Sequence, residues 1–139
     1  LRRGEDALIV AGTDDPCGPA ERKTPAELIA DIRAEAGEAA FLLLLTHRND
    51  QLPQWSALGV QAVLAGHCHG GVVRLPFVGG LFGTDRRLFP AWDAGLYRQG
   101  ETVLYVSRGL GYTNVHFRLF NRPEVAVIVL RRGSPAINS

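Results

Sequence analysis

Two short segments of this chain are apolar at every position, Phe41–Leu45 (FLLLL) and Ala62–Ala65 (AVLA), and each runs straight into a polar pair, Thr46-His47 and Gly66-His67. A strand without polar alternation has no face to offer water, so it belongs in the middle of a sheet covered on both sides, as in parallel α/β architectures. That expectation excludes all-helical folds and a solvated antiparallel meander.

The flanking sequence agrees. Ala7–Ala11 (ALIVA) is a third apolar run, closed by Gly12 and followed by TDDPCGPAERK, which is dense in turn formers. Thr24-Pro25-Ala26-Glu27 then supplies a capping hydroxyl, a proline for the first helical position and a glutamate at the third, the capping-box arrangement. Leu28, Ile29 and Ile32 form an apolar stripe opposite Asp31, Arg33 and Glu35, and Gly37 can take the left-handed conformation that ends a helix. With a short helical turn near Trp55–Leu58, the order is β-α-β-α-β.

Beyond Gly71 the pattern changes to expected strands at Val72–Leu75, Thr102–Ser107, His116–Phe120 and Val125–Leu130, with no convincing helix. Pro76–Gly100 reads as one long loop carrying Phe77, Phe82, Phe89, Trp92 and Tyr97, either a lid or contact for a lipid-like substrate, or anchors of the loop to its own core. No repeat or linker divides the 139 residues, so they are expected to form one unit.

A formal charge of +1, with no long basic run, lacks the electrostatic footprint of a nucleic-acid binder. Cys17 and Cys68 are too few for a disulfide framework and are expected to be free thiols. No apolar stretch approaches the ~20 residues that span a bilayer, so a soluble domain is expected, cytoplasmic or peripheral to a membrane. The chain starts at Leu1 and contains no Met, which reads as a piece of a longer protein.

Three of the four histidines stand where apolar runs end: His47, His67 and His69. Ligands of open α/β sheets bind beyond the C-terminal ends of strands, and neutral imidazole is the commonest side-chain ligand for divalent transition metals. At a spacing of two, His67 and His69 share a face if extended or diverge towards two ions if looped. Gly70 and Gly71 leave room for backbone to approach a phosphate. Arg108 can face a phosphate through its fork of donors or pair with a local carboxylate. Cys68 is small filler or a soft ligand, Asp50 a carboxylate behind His47 or ordinary turn chemistry, and His116, beside Phe117, a structural histidine.

Taken together, GHCHGGVVRLP, preceded by LLTHRND and followed by YVSRGLG and RLFNRPEVAVIVL, resembles the calcineurin-like metallophosphoesterases, bacterial members above all. The resemblance runs through nearly the whole chain in order, with GHxHGG as its most specific element. It implies the second half of a four-layer α-β-β-α sandwich, a mixed sheet with flanking helices, whose first half lies before Leu1. It also implies hydrolysis of phosphomonoesters or phosphodiesters by a hydroxide bridging two divalent ions, with His47 and His67 on the second ion and His69 on the first. Histidine ligands favour Mn or Fe, with Zn as a further candidate. The family's Asp-x-His, Gly-Asp and Gly-Asn-His-Glu motifs, which carry the bridging aspartate and the general acid, do not occur in these residues. The opposing expectation is an inactive metal-binding or interaction remnant. Departures are Thr46-His47-Arg48-Asn49-Asp50 where Ser-His-Asn-Pro-Asp is frequent, and Val72 where Gln is frequent.

Overall fold

The structure, a computed structural model, describes residues 1–4, 6–15, 17–18, 23–83, 87–112 and 117–131. Its frame is a six-stranded mixed sheet in the order β1-β2-β3-β4-β8-β7. The strands are β1 Arg2–Arg3, β2 Asp6–Gly12, β3 Phe41–Leu45, β4 Ala62–Ala65, β7 Gly95–Gln99 and β8 Thr102–Val106, with β5 Arg74–Leu75 and β6 Gly79–Gly80 forming a separate small ladder. The four central strands, β2, β3, β4 and β8, are mutually parallel, and the outer strands β1 and β7 are antiparallel to their neighbours.

Two helices cross between the parallel strands. Helix α1, Pro25–Ala36, starts as its sequence demands: the Glu27 amide donates to the Thr24 hydroxyl oxygen, and the Thr24 amide donates to the Glu27 carboxylate. It ends at Gly37, whose φ of +86° disfavours other residues. Helix α2, Leu52–Ala57, drives Leu52 and Trp55 into the interior. These residues, with Ile29 and Val60, pack on Leu42, Leu44, Val63, Leu104 and Val106, alternate positions of the sheet, to make one core.

That core lies on one face only. Strand β3 alternates between buried Leu42 and Leu44 and the more open Phe41, Leu43 and Leu45, and Phe41 and Leu45 are 41% and 44% exposed. The expectation of a strand covered on both faces is therefore corrected: among the described residues, both helices bury side chains in the same cluster, and the opposite face stays open. An all-apolar strand reports that both faces avoid water without reporting what covers them.

Three other expectations are corrected. Pro76–Gly100 is not one loop: it contains β6 and ends in β7, which pairs residue by residue with β8. Val72–Leu75 shortens to Arg74–Leu75. Val125–Leu130 forms no strand, since no neighbouring backbone among the described residues completes its ladder, and Val125, Val127 and Val129 are 67–85% exposed. Of His116–Phe120, His116 lies outside the described residues, and Leu119 makes an isolated bridge to Val73. Both cysteines are free, and among the described residues no helix is long and apolar enough to cross a membrane.

Candidate metal centre

Parallel strands deliver their following residues to one edge of the sheet, and β2, β3 and β4 are consecutive neighbours there. The pairing continues past the strands: the Thr13 amide donates to Leu45 O and the Thr46 amide to Leu64 O, each at 3.0 Å, and the two threonine hydroxyls meet at 3.1 Å. His47 and His67, 20 residues apart, consequently face each other, with His47 Nε2 2.8 Å from His67 Nδ1 and their rings edge to face at 4.6 Å. Two ring nitrogens this close need either one shared proton or one shared cation between them. Burial lowers the His67 pKa, with Arg48 and His47 adding to the effect, which favours the neutral, metal-binding form.

A carboxylate stands beside this pair. Asp15, three residues beyond β2, places Oδ2 3.4 Å from His47 Nε2 and holds Arg48 through Oδ1 at 3.3 Å. The Cys17 amide donates to Asp15 Oδ1, and together with Arg48 and His47 it keeps that carboxyl below its ordinary pKa against the opposing effect of burial. Asp50, weighed from the sequence for this position, is exposed in the turn after β3.

The loop after β4 is tightly wound. His67 and His69 have φ of +67° and +51°, and Gly70 and Gly71 follow at +72° and +79°. Such angles are uncommon for a side-chain-bearing residue and cost of order 1–3 kcal/mol where they persist. The fold holds them by side chains: Asn121, 3% exposed, donates to the carbonyls of His69 and Gly71, and Arg74 donates to Gly70 O at 2.8 Å. A methyl on Gly70 would lie 2.6 Å from Arg108 Cγ, and one on Gly71 2.9 Å from Gly80 Cα, so both glycines admit close packing of neighbouring chain. Cys68 is buried, its thiol donates to Asp93 O at 2.9 Å, and burial pushes its pKa up, as expected of filler.

His69 stands apart from the His47–His67 pair, with Nδ1 3.2 Å from Gly111 O and 3.3 Å from Arg118 Nη2. Arg108, read from the sequence either as a phosphate contact or as the partner of a local carboxylate, is paired with Glu124: Nε and Nη2 reach Oε2 at 2.8 and 2.6 Å, and Tyr105 donates to the other oxygen. No group of three or more His, Cys, Asp or Glu side chains is arranged to hold a metal among the described residues. An open groove of about 400 Å³, lined by Leu64, Tyr105, Leu110, Val125 and Ile128, takes no part, since none of the histidines lines it.

Comparison with known proteins gives these histidines a context. The chain is 35% identical over 91 residues to YkuE of Bacillus subtilis, an uncharacterized metallophosphoesterase, covering 66% of this chain and 31% of that protein. It is 37% identical over 90 residues to the phosphodiesterase YaeI of Escherichia coli, covering 63% and 32%, and 30% identical over 128 residues to an uncharacterized metallophosphoesterase of Aquifex aeolicus, covering 89% and 46%. The chain is a relative of the bacterial metallophosphoesterases. It spans between 31% and 46% of the length of the curated metallophosphoesterases and phosphodiesterase it matches. No family model matches the chain, and no solved structure matches it significantly.

Reading the sequence for metallophosphoesterase chemistry missed Asp15, Arg118 and Asn121. Asp15 carries a signal that could have found it, because it too follows an apolar run, as His47 and His67 do. Arg118 and Asn121 carry none, since they reach the loop of His69 across 49 and 52 residues.

Proposed function

We propose that this chain contributes the histidine side of a metal-dependent phosphoesterase centre, with His47 and His67 on one divalent ion and His69 on a second, in a protein that hydrolyses phosphomonoesters or phosphodiesters. The observation that carries the reading is the 2.8 Å approach of His47 Nε2 to His67 Nδ1 at the ends of adjacent parallel strands. The named activities of the relatives agree with it. With fewer than three clustered ligands among the described residues, further ligands would come from outside them, and the open sheet face fits one half of a four-layer α-β-β-α domain whose other half covers it.

The donor set suits Mn, Fe or Zn better than Mg or Ca, because imidazole nitrogen is not the ligand of choice for hard cations. A divalent ion held there would supply Lewis-acid polarisation of the phosphate ester. The protein's own residues do the rest. Adjacent strands hold the rings of His47 and His67 in register, Asp15 places negative charge beside His47, and the Gly70-Gly71 turn lets Arg108, Asn121 and Gly80 pack directly against the loop that carries His69. Arg108 stays with Glu124 and braces the loop, while phosphate contact through its remaining donors is the role proposed for it when substrate is present.

Hydrolysis of bis-p-nitrophenyl phosphate by the complete gene product, with and without added Mn, tests the reading. Turnover that requires the metal and falls at least ~100-fold in His67→Ala is expected. Metal-independent turnover, or an undiminished rate in that variant, would exclude it.

A further inference from the structure

We infer that Arg118 is a positioning residue for His69, fixing through the Gly111 carbonyl which imidazole nitrogen is left bare for a metal; this rests on the ligand role of His69 proposed above. Arg118 Nη2 carries two hydrogens and has three acceptors within reach: Arg108 O at 2.9 Å, Gly111 O, which is the nearest, and His69 Nδ1 at 3.3 Å. Both hydrogens are spent on the two nearer carbonyls, so none remains for the ring.

His69 Nδ1 also lies 3.2 Å from Gly111 O, and a carbonyl cannot donate. Nδ1 must therefore carry the hydrogen and give it to Gly111 O, whose two lone pairs accept from both Arg118 and His69. In the neutral ring that leaves the lone pair on Nε2. Were Arg118 absent, Gly111 O would lose the donor that fixes it, and Nδ1 would be free to accept a proton from water, moving the ring hydrogen to Nε2 and closing that atom to a metal.

Stability alone does not account for the arginine. Among the described residues its Nε and Nη1 are buried with no hydrogen-bond partner, a cost that packing would avoid with an uncharged side chain of the same length. No carboxylate among the described residues pairs with it, whereas Arg48, Arg74 and Arg108 each hold one. A half-buried cation that faces the Tyr112 ring at 6.0 Å rather than a carboxylate, and whose one hydrogen-bonded nitrogen reaches two carbonyls beside a candidate ligand, is arranged for orientation.

The test uses the complete gene product labelled with ¹⁵N-histidine. Long-range proton–nitrogen spectra of the metal-free protein should show His69 with hydrogen on Nδ1, and Arg118→Met should convert it to a mixture of tautomers. The same variant should bind one equivalent of Mn roughly 10–100-fold more weakly, with a melting temperature no lower than that of the parent. Arg118→Lys, which keeps a donor for Gly111 O, should recover most of the affinity and serves if the methionine variant does not fold. Hydrogen on Nε2 in the parent, or parental tautomer and affinity in either a folded Arg118→Met or an Arg118→Ala variant, would overturn the inference. His69→Ala separates the two levels of the argument: if it loses one equivalent of metal while Arg118→Met keeps it, the Arg118 role alone fails, and if His69→Ala keeps both equivalents, the ligand assignment beneath it fails.

Discussion

The half of the chain up to Ala65 and the half beyond it place their functional groups by different means. In the first, β2, β3 and β4 with α1 and α2 make a layered core in which Leu42, Leu44, Leu52, Trp55 and Val63 are at most 1% exposed, and strand register carries His47 to its position opposite His67, which stands just past the end of β4. In the second, only β7 and β8 among the described residues join the main sheet, and the loop bearing Cys68 and His69 is held by side-chain donors on its backbone carbonyls, from Arg74 and Asn121, while Arg118 holds the carbonyls of Arg108 and Gly111 beside the His69 ring. The lesson is that the His47–His67 pair is positioned by topology and should survive local damage, while His69 depends on a few individual hydrogen bonds.

The most damaging way to break this contrast is to open the core. Trp55→Ala removes the largest fully buried side chain and should cost about 3–5 kcal/mol, read as a shift in the urea midpoint, with the His47 and His67 resonances lost together on unfolding. Asn121→Ala acts on the other half. It leaves the His69 and Gly71 carbonyls without their donor and should cost about 1–3 kcal/mol, with hydrogen exchange accelerated in residues 66–72 and unchanged in β3 and β4. Acceleration spread evenly over both halves would erase the distinction.

A smaller effect is expected at Asp93, which ties the β5–β6 ladder to β7. Burial raises its pKa, but the Tyr97 hydroxyl, the Gly80 amide, Arg74 and the Ala94 amide outweigh burial and hold it below the ordinary carboxylate value. A depressed carboxyl contributes stability above its unfolded pKa, about 3.9 for Asp, and loses it as pH falls through the folded value. Asp93→Asn should therefore flatten the acid limb of the stability profile below about pH 4, while a limb as steep as the parent's would show that the network is not coupled to folding. Tyr97, pushed up to about 12 by burial and by its bond to Asp93, should stay protonated across the physiological range.

How much could be read from residues alone follows the same division. The β-α-β-α-β order was legible because its signals are local: uninterrupted apolar runs, the Thr24–Glu27 capping box and Gly37. Strand β7 was not, because GLYRQ has neither the β-branched content nor the alternation of a strand and owes its conformation to the ladder with β8. Val125–Leu130 misled in the opposite direction, since AVIVL has strong strand propensity but no partner backbone among the described residues. His47 and His67 were legible from their position after strands. Asp15 was overlooked within a turn-rich stretch, Asn121 acts through carbonyls 52 and 50 residues away, and Arg118 meets His69 across 49 residues.

The central claim is that His47 and His67 share one ion, and metal stoichiometry across a double-mutant series tests it most directly. In the complete gene product after Mn loading and dialysis, His47→Ala, His67→Ala and the double variant should each lose the same single equivalent, because two ligands of one ion cannot be lost twice. Losses that add, with the double variant giving up two equivalents where each single variant gives up one, would place the histidines on different ions, and full retention in all three would contradict the metal centre itself.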